Sequence, residues 1–156
     1  MGAIEYYQAT EDDAALMADY RVQFLAELLG QQKDELVQEL IQNLEQYFRA
    51  AINSSNYIGW LAKDGDEVVS VGGMAIRTQP GNFKNPSGRT GYIMNMYTVP
   101  AYRRRGICKN ILDRLIETGK KMGISAFELH ATKDGEPMYQ KNGFIIHGEP
   151  TYRKYE

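Results

Sequence analysis

The chain has 156 residues, of which 43% are hydrophobic and 24% are charged, and its formal net charge is -2. This length fits one hydrophobic core, so we expect a single domain over residues 1–156, and no apolar run reaches the roughly 18 residues that span a bilayer. The acidic balance argues against a protein that neutralises many phosphates along a nucleic acid, although it is compatible with one bound diphosphate.

The first predicted element is a strand that starts at Ile4, and a helix is expected to begin after Thr10. Thr10 and Asp13 have the spacing of a capping box. The residues before this helix have neither a basic start nor an apolar stretch, so we expect no secretory signal and a mature protein that begins near Met1. With one cysteine in the chain, we expect a reducing, cytoplasmic location.

Two helices follow. Helical spacing relates Met17, Tyr20, Phe24 and Leu28, and Gly30 is typical of the residue that ends such a helix. Residues 34–51 carry a second, broader apolar face. Both segments are therefore predicted to pack on a common core.

From Tyr57 the hydrophobic period changes to two, which predicts strands. The pair Asp64-Gly65 predicts a hairpin turn, and Gly72-Gly73 within the returning strand predicts a bulge or a close approach of the backbone. The following loop, TQPGNFKNPSGRTG, is longer than the roughly 12 residues of ordinary connections, which favours a functional or mobile segment.

The remaining elements alternate between strands and helices. A strand, YIMNMYTV, ends at Pro100, and a helix follows with an apolar face that includes Ile107, Ile111 and Leu115. Next come a strand in SAFELHA, a short helix over 137–141, a strand in FIIHGE and a last strand near Tyr152. The predicted order is β-α-α-β-β-β-α-β-α-β-β, which indicates an α/β protein with a mixed sheet.

Arg103, Arg104 and Arg105 stand between the strand and the helix, directly before Gly106. Such a run is often a solvated surface, and it can also form a nucleic-acid patch. A helix N-terminus, however, disfavours cations unless an anion joins them, and its unpaired N–H groups bind phosphate readily. Gly106 also lets the backbone approach a ligand closely, so this turn is a candidate anion site.

Two segments resemble known motifs. NMYTVPAYRRRGICKNIL resembles the acyl-CoA signature of the GNAT superfamily of N-acyltransferases, in which Gln or Arg is followed by two residues, Gly, one residue, and Gly or Ala. Cys108 stands where that glycine or alanine is usual. Downstream, ATKDGEPMYQKNGF is similar to the family's other CoA-facing segment.

The resemblance implies a fold and a cosubstrate. The fold is α/β (α+β), with a mixed, mostly antiparallel sheet of six to seven strands, helices on both faces, and a parallel strand pair that splays apart. The implied cosubstrate is acetyl-CoA. The two histidines lie far apart and the chain has one cysteine, so we expect no metal.

The resemblance also implies where acetyl-CoA binds. The pantetheine is expected to pair with the backbone of Tyr97, Thr98 and Val99. The diphosphate is expected at one continuous turn, with the backbone amides contributing more than the arginine side chains: Arg103, Arg104, Arg105, Gly106, Ile107, Cys108 and Lys109. Thr132 stands where relatives often have an asparagine that contacts CoA.

The family tyrosine that protonates the leaving thiolate corresponds to Tyr139. Many relatives carry a glutamate as base on the strand before the arginines, whereas this chain has Asn95, which can position a water but cannot accept a proton. Glu128 and His130 share a strand face and are both candidate bases. An acyl intermediate on Cys108 is disfavoured, because no histidine adjoins it in sequence.

These motifs predict an N-acetyltransferase that moves the acetyl group of acetyl-CoA directly to a primary amine. The alternatives are an acyl-CoA-binding regulatory module without turnover and, least favoured by the charge, a nucleic-acid binder. The expected partner is a small-molecule amine, with no nucleic acid and no membrane. The sequence leaves open whether the protein forms a homodimer. The sequence does not choose among polyamines, amino acids, aminoglycoside-like antibiotics, protein amino groups and small metabolite amines.

Overall fold

The computed structural model describes residues 2–156 and contains a mixed sheet of five strands in the order β1-β2-β3-β4-β5. Neighbours from β1 to β4 are antiparallel, and β4 and β5 are parallel. The strands are β1 (Ile4–Gln8), β2 (Tyr57–Asp64), β3 (Glu67–Thr78), β4 (Arg89–Thr98) and β5 (Phe127–Leu129).

Helices cover both faces of this sheet. They are α1 (Ala14–Leu29), α2 (Asp34–Asn53), α3 (Ile107–Lys121) and α4 (Glu136–Lys141). Buried side chains of α1 and α2, such as Met17 and Phe48, form one core with the sheet, and those of α3, such as Ile111, form the other. Within residues 2–156, no helix combines the length and the hydropathy needed to cross a membrane.

The first nine predicted elements are present in the predicted order. The capping box is formed, with the Thr10 amide donating to Asp13 Oδ2 at 2.8 Å. The β2–β3 hairpin turns at Gly65, whose φ of 61° is in the left-handed region that favours glycine.

Gly72 and Gly73 occupy positions where no side chain fits. A Cβ on Gly72 would lie 2.5 Å from Ile111 Cγ2, and one on Gly73 would lie 1.6 Å from the Tyr57 hydroxyl oxygen. Opposite them, the register of β4 shifts, because Val71 pairs with Tyr97 while Gly73 pairs with Met94. Both the predicted close approach and the predicted bulge are therefore confirmed.

The predicted count of six to seven strands is wrong, because the described part of the chain forms five. The last two predicted strands, in FIIHGE and near Tyr152, are absent, and residues 144–156 contain no regular element. Ile145 and Ile146 are 90% and 85% exposed. Their β-branched side chains suit a strand, but a strand also needs hydrogen-bonded neighbours and a buried face, and this segment has neither.

Candidate functional site

The site lies where β4 and β5 separate. The two parallel strands pair only from Gly91 to Ile93 on β4, opposite Phe127 to Leu129 on β5. Beyond Ile93, β4 continues to Thr98 without a partner on that side. The carbonyls of Tyr97 and Thr98 accept hydrogen bonds from Ser70 and Arg103. The other backbone groups there are available to an extended ligand that pairs as an additional strand. The predicted splayed pair is therefore present.

A bulge interrupts β4 just past this point. Asn95 and Met96 together oppose Gly72, and Asn95 has a φ of 58°, which asparagine tolerates better than most residues. The Asn95 side chain is 3% exposed, and both of its polar atoms lack a hydrogen-bond partner within residues 2–156. A buried amide without a partner is costly, so a polar ligand or water is the physical expectation for it.

The turn before α3 displays backbone amides. Arg104 and Gly106 have φ values of 66° and 76°, and Gly106 caps the helix. The first helical hydrogen bond runs from the Asn110 amide to the Gly106 carbonyl at 3.1 Å. Across the described chain, the amides of Gly106, Ile107, Cys108 and Lys109 find no acceptor. Such an array, with left-handed residues in the turn, is an anion-binding arrangement.

The Arg103 side chain is used within the protein. Its Nε donates to the Thr98 carbonyl at 2.7 Å, and its Nη2 donates to Glu27 Oε2 at 2.8 Å. The second oxygen of Glu27 accepts a hydrogen bond from the Tyr97 hydroxyl at 2.7 Å. These bonds, first from Tyr97 and then from Arg103, hold the pKa of Glu27 below its ordinary value. Arg103 therefore joins α1 to the end of β4.

Glu27 is a site residue that the sequence did not reveal. It lies 76 residues before Arg103 and belongs to no motif, and its position on α1 resembles that of any exposed helical glutamate. The predicted role of the Tyr97 backbone is unaffected by this contact, since the hydroxyl alone engages Glu27.

Two further cations at this turn also have partners. The guanidinium carbon of Arg105 lies 5.0 Å from the centroid of the Tyr102 ring, and Lys109 Nζ forms an ion pair of 2.6 Å with Asp113. The Arg104 side chain is exposed. The groups at the turn that lack a partner are thus mainly backbone amides. This agrees with the expectation that the amides contribute more to diphosphate binding than the arginine side chains do.

Tyr139 lies on α4 beside this turn and is 9% exposed. Its ring packs against Phe144, with centroids 5.9 Å apart, and its hydroxyl forms no hydrogen bond with another described residue. Burial first, and the nearby Cys108 second, raise the pKa of Tyr139 above its ordinary 10.0. The phenol therefore keeps its proton at neutral pH and can donate it.

Burial raises the pKa of Cys108 to about 11. Because the thiolate is the nucleophilic form, this cysteine is a poor nucleophile at neutral pH. The environment of Cys108 agrees with the expectation that it does not carry an acyl group.

The Thr132 side chain turns toward the start of α4. Its Oγ1 accepts a hydrogen bond from the Gly135 amide at 3.3 Å, and its carbonyl accepts from Gly135 and Glu136, each at 3.0 Å. Thr132 therefore shapes the turn that positions α4. Its predicted contact with CoA stays a prediction.

His130 follows the end of β5, on the face that it shares with Glu128, and both are exposed. His130 Nδ1 lies 2.5 Å from the Tyr92 hydroxyl, and Tyr92 pairs with Glu128 across the strands. Tyr92 therefore fixes the imidazole beside the splay. Tyr92 carries no motif signal and was not foreseen.

Comparisons with known proteins agree with this geometry. Residues 24–155 match the family described as an acetyltransferase (GNAT) domain. A predicted acetyltransferase with acetyl-CoA from Clostridium acetobutylicum is 29% identical, with a TM-score of 0.88 over 97% of this chain and 96% of that one. A GCN5-related N-acetyltransferase from Ralstonia eutropha shares the fold at 23% identity, with a TM-score of 0.86 over 97% of this chain and 99% of that one.

Curated relatives match over shorter segments. A Bacillus subtilis protein named as an acetyltransferase is 37% identical over 57 residues, which are 36% of this chain and 39% of that protein. The chloroplastic GCN5-related N-acetyltransferase 6 of Arabidopsis thaliana is 35% identical over 63 residues, which are 38% of this chain and 22% of that protein. Since the family match extends over residues 24–155 and includes the amide turn, the bulged strand and Tyr139, the chain belongs to the GNAT family of acetyltransferases.

Proposed function

We propose that this protein, acting as a single domain over residues 1–156, moves the acetyl group of acetyl-CoA to a primary amine of a small-molecule acceptor. The proposal rests on one observation, the proximity of three features of the structure. The unpaired edge of β4 leads into the turn that carries the amides of Gly106 to Lys109, and the buried Tyr139 phenol lies near Cys108 of that turn. An acyl-CoA has an extended pantetheine, a diphosphate and a thioester sulfur, and each matches one of these features.

The residues present fit acetyl-CoA in chemical type. The amide array from Gly106 to Lys109 suits a diphosphate, because backbone N–H groups and the positive end of the helix dipole both favour an anion. The edge of β4 between Met94 and Val99 offers the main-chain groups that an amide-containing chain can pair with. Arg103 supports this edge through its bond to the Thr98 carbonyl.

The proposed reaction is a direct displacement. The neutral amine attacks the thioester carbonyl carbon, a C–N bond forms, and the carbonyl oxygen becomes an oxyanion that a backbone N–H at the Asn95 bulge would stabilise. When the intermediate collapses, the C–S bond breaks, Tyr139 gives its proton to the sulfur, and the amine proton leaves to a base. The products are the acetamide and free CoA thiol.

His130 is the proposed base, and its tautomer decides whether it can act. If Nδ1–H donates to the Tyr92 oxygen, the lone pair of Nε2 is free to accept the amine proton, directly or through a water. Tyr92 is therefore a positioning residue for this tautomer. Asn95 is proposed to orient the water or the substrate carbonyl, because its buried amide has donor and acceptor atoms without partners among the described residues.

A second candidate function is acetyl-CoA binding without turnover, which the replacement of an acidic residue by Asn95 favours. Two measurements separate the candidates. Acetyl-CoA at about 100 times its dissociation constant is expected to stabilise the fold by about 2.7 kcal/mol in thermal unfolding under either function. CoA thiol release that depends on an added amine is expected for the transferase alone. Absence of stabilisation would contradict both.

The amide array gives a prediction with a matched control. Gly106→Ala places a Cβ on a residue with a φ of 76°, at a cost of about 1–2 kcal/mol, and is expected to distort the turn and weaken acetyl-CoA binding about tenfold. Gly65→Ala in the β2–β3 hairpin is the control, since its φ is 61° and both positions face open space. It should leave the dissociation constant, measured by calorimetric titration, nearly unchanged.

Arg104→Ala tests how much an arginine side chain contributes to binding of the diphosphate. Because amides hold the diphosphate in this account, removal of one exposed guanidinium is expected to raise the dissociation constant only a few-fold. Complete loss of acetyl-CoA binding in Arg104→Ala would contradict the account.

A further inference from the structure

Arg21 on α1 and Arg77 on β3 have no carboxylate partner within residues 2–156. Arg21 lies one turn after Met17 and Ala18, which are buried in the core, and it is itself only half exposed. Arg77 is exposed near the end of β3. Neither guanidinium belongs to an ion pair within residues 2–156. Two cations held at one face without a counter-charge favour an anion there.

Arg77 is fixed by an aromatic ring. Its guanidinium carbon lies 3.7 Å from the centroid of the Tyr92 ring. This stacking occupies the flat face of the guanidinium and leaves its N–H edge free, which is the edge that binds carboxylates and phosphates in a bidentate manner. Arg77 is therefore ordered for recognition while its donors remain available.

The charges of both arginines lie close enough to the same tyrosine pair to affect its hydroxyl groups. Burial raises the pKa of the Tyr47 hydroxyl, and the charges of Arg77 and Arg21 oppose that rise. Burial likewise raises the pKa of Tyr57, with Asn95 and Arg21 opposing the rise. The Tyr47 and Tyr57 rings lie 6.0 Å apart. They form a floor, here called the tyrosine floor, that both cations adjoin.

The tyrosine floor also contains buried polar atoms that no described residue satisfies. Tyr57 is 1% exposed and its hydroxyl has no hydrogen-bond partner, and the same holds for both polar atoms of the neighbouring Asn95. The two side chains are close enough to influence each other but do not form a hydrogen bond of normal geometry. Buried polar groups are almost always paired, and since these atoms have no exposed surface, a buried water is the partner that they indicate.

The same face leads to the reacting groups. Asn95 is at the β4 bulge, and the Tyr92 ring that stacks on Arg77 also holds His130 through its hydroxyl. Glu128, which pairs with Tyr92 across the strands, adds an acidic side chain beside His130. An acceptor that extends from the arginines to His130 would place its anionic end at the arginines, which attract anions. Its amine end would lie at His130, the proposed base.

We propose that the acceptor is a primary amine that also carries an anionic group, a carboxylate or a phosphate, and that Arg21 and Arg77 bind this anion. The inference rests on the proposed function and specifies its substrate class. An amine without an anion would bring its ammonium form toward two uncompensated cations, which like-charge repulsion disfavours.

Matched acceptor pairs test the proposal by the rate of CoA thiol release. β-Alanine is compared with its amide, and phosphoethanolamine with ethanolamine, so that each pair differs only in the anion and the two pairs separate carboxylate from phosphate. The anionic member of at least one pair is expected to have a kcat/KM about tenfold or more above its neutral partner. Arg77→Gln and Arg21→Gln should each abolish most of that preference.

Controls separate charge from folding. Arg49→Gln removes a cation of α2 that already pairs with Glu45 at 3.1 Å, and it should leave the preference unchanged. Arg21→Lys retains the charge at the half-buried position and should keep the preference if its thermal midpoint is normal. Equal rates for the anionic and neutral amines, unaltered by the arginine variants, would overturn this inference while the proposed function stands. Absence of thiol release with every amine would overturn the proposed function itself.

Discussion

Tyr139→Phe is expected to lower kcat about 100-fold while the dissociation constant of acetyl-CoA changes by no more than about twofold. A positioned general acid contributes typically about 10²–10⁴-fold, and phenylalanine removes the donor while it keeps the ring that packs on Phe144. The loss should therefore appear in turnover and not in binding. Thiol release under saturating acetyl-CoA and amine measures the first, and calorimetric titration measures the second.

The pH dependence adds a second readout. Burial holds the pKa of Tyr139 above 10.0, so the wild-type phenol stays protonated and no loss of kcat through its ionisation is expected below that pH. Tyr152→Phe serves as the control, because Tyr152 is 90% exposed and outside the site. A Tyr139→Phe variant with full rate and an unchanged pH profile would remove Tyr139 from the mechanism.

Gly73→Ala is expected to lower the free energy of unfolding by about 2 kcal/mol or more and to weaken acetyl-CoA binding as well. The added Cβ would lie 1.6 Å from the Tyr57 hydroxyl oxygen and 2.2 Å from its Cζ, so the fully buried ring must move. Overpacking of a core typically costs about 1–3 kcal/mol. Because Tyr57 adjoins Asn95, the displacement should also disturb the bulge in β4.

Gly148→Ala is the matched control for this substitution. A Cβ at Gly148 would meet nothing within 4 Å, so its thermal midpoint and its affinity for acetyl-CoA should equal those of the wild type. If Gly73→Ala unfolds at the wild-type temperature, the close approach of Tyr57 to β3 is not as described.

Local signals predicted much of the fold. Periodicity, the Asp64-Gly65 turn and the Gly72-Gly73 pair each depend on neighbouring residues, and the elements they predicted are present up to α4. The last two strands failed because the strand pattern near Ile145 carries no information about a pairing partner. The β-propensity of its isoleucines and Phe144 favours a strand, but the outcome depends on packing against neighbouring strands.

The site residues also fall into those that a local motif predicts and those that depend on contacts between distant residues. The amide turn lies in a contiguous motif, and the family resemblance implied the parallel strand pair, so both could be predicted from the sequence. The side-chain contact of Arg103 could not be predicted from that motif, because its guanidinium partner is Glu27, which lies 76 residues away on α1. Tyr92 and Tyr57 were missed for the same reason, since their roles arise from contacts across strands and not from spacing along the chain.

The central claim is that the acetyl group passes directly from CoA to an amine. Mass spectrometry of a reaction containing the protein, acetyl-CoA and an anionic primary amine tests it most directly, together with a reaction that lacks the amine. Direct transfer predicts a singly acetylated amine, released in equal amount to free CoA thiol, and an unmodified protein in both reactions. An acetyl group on Cys108 in the reaction without amine, or no acetylated amine at all, would contradict it.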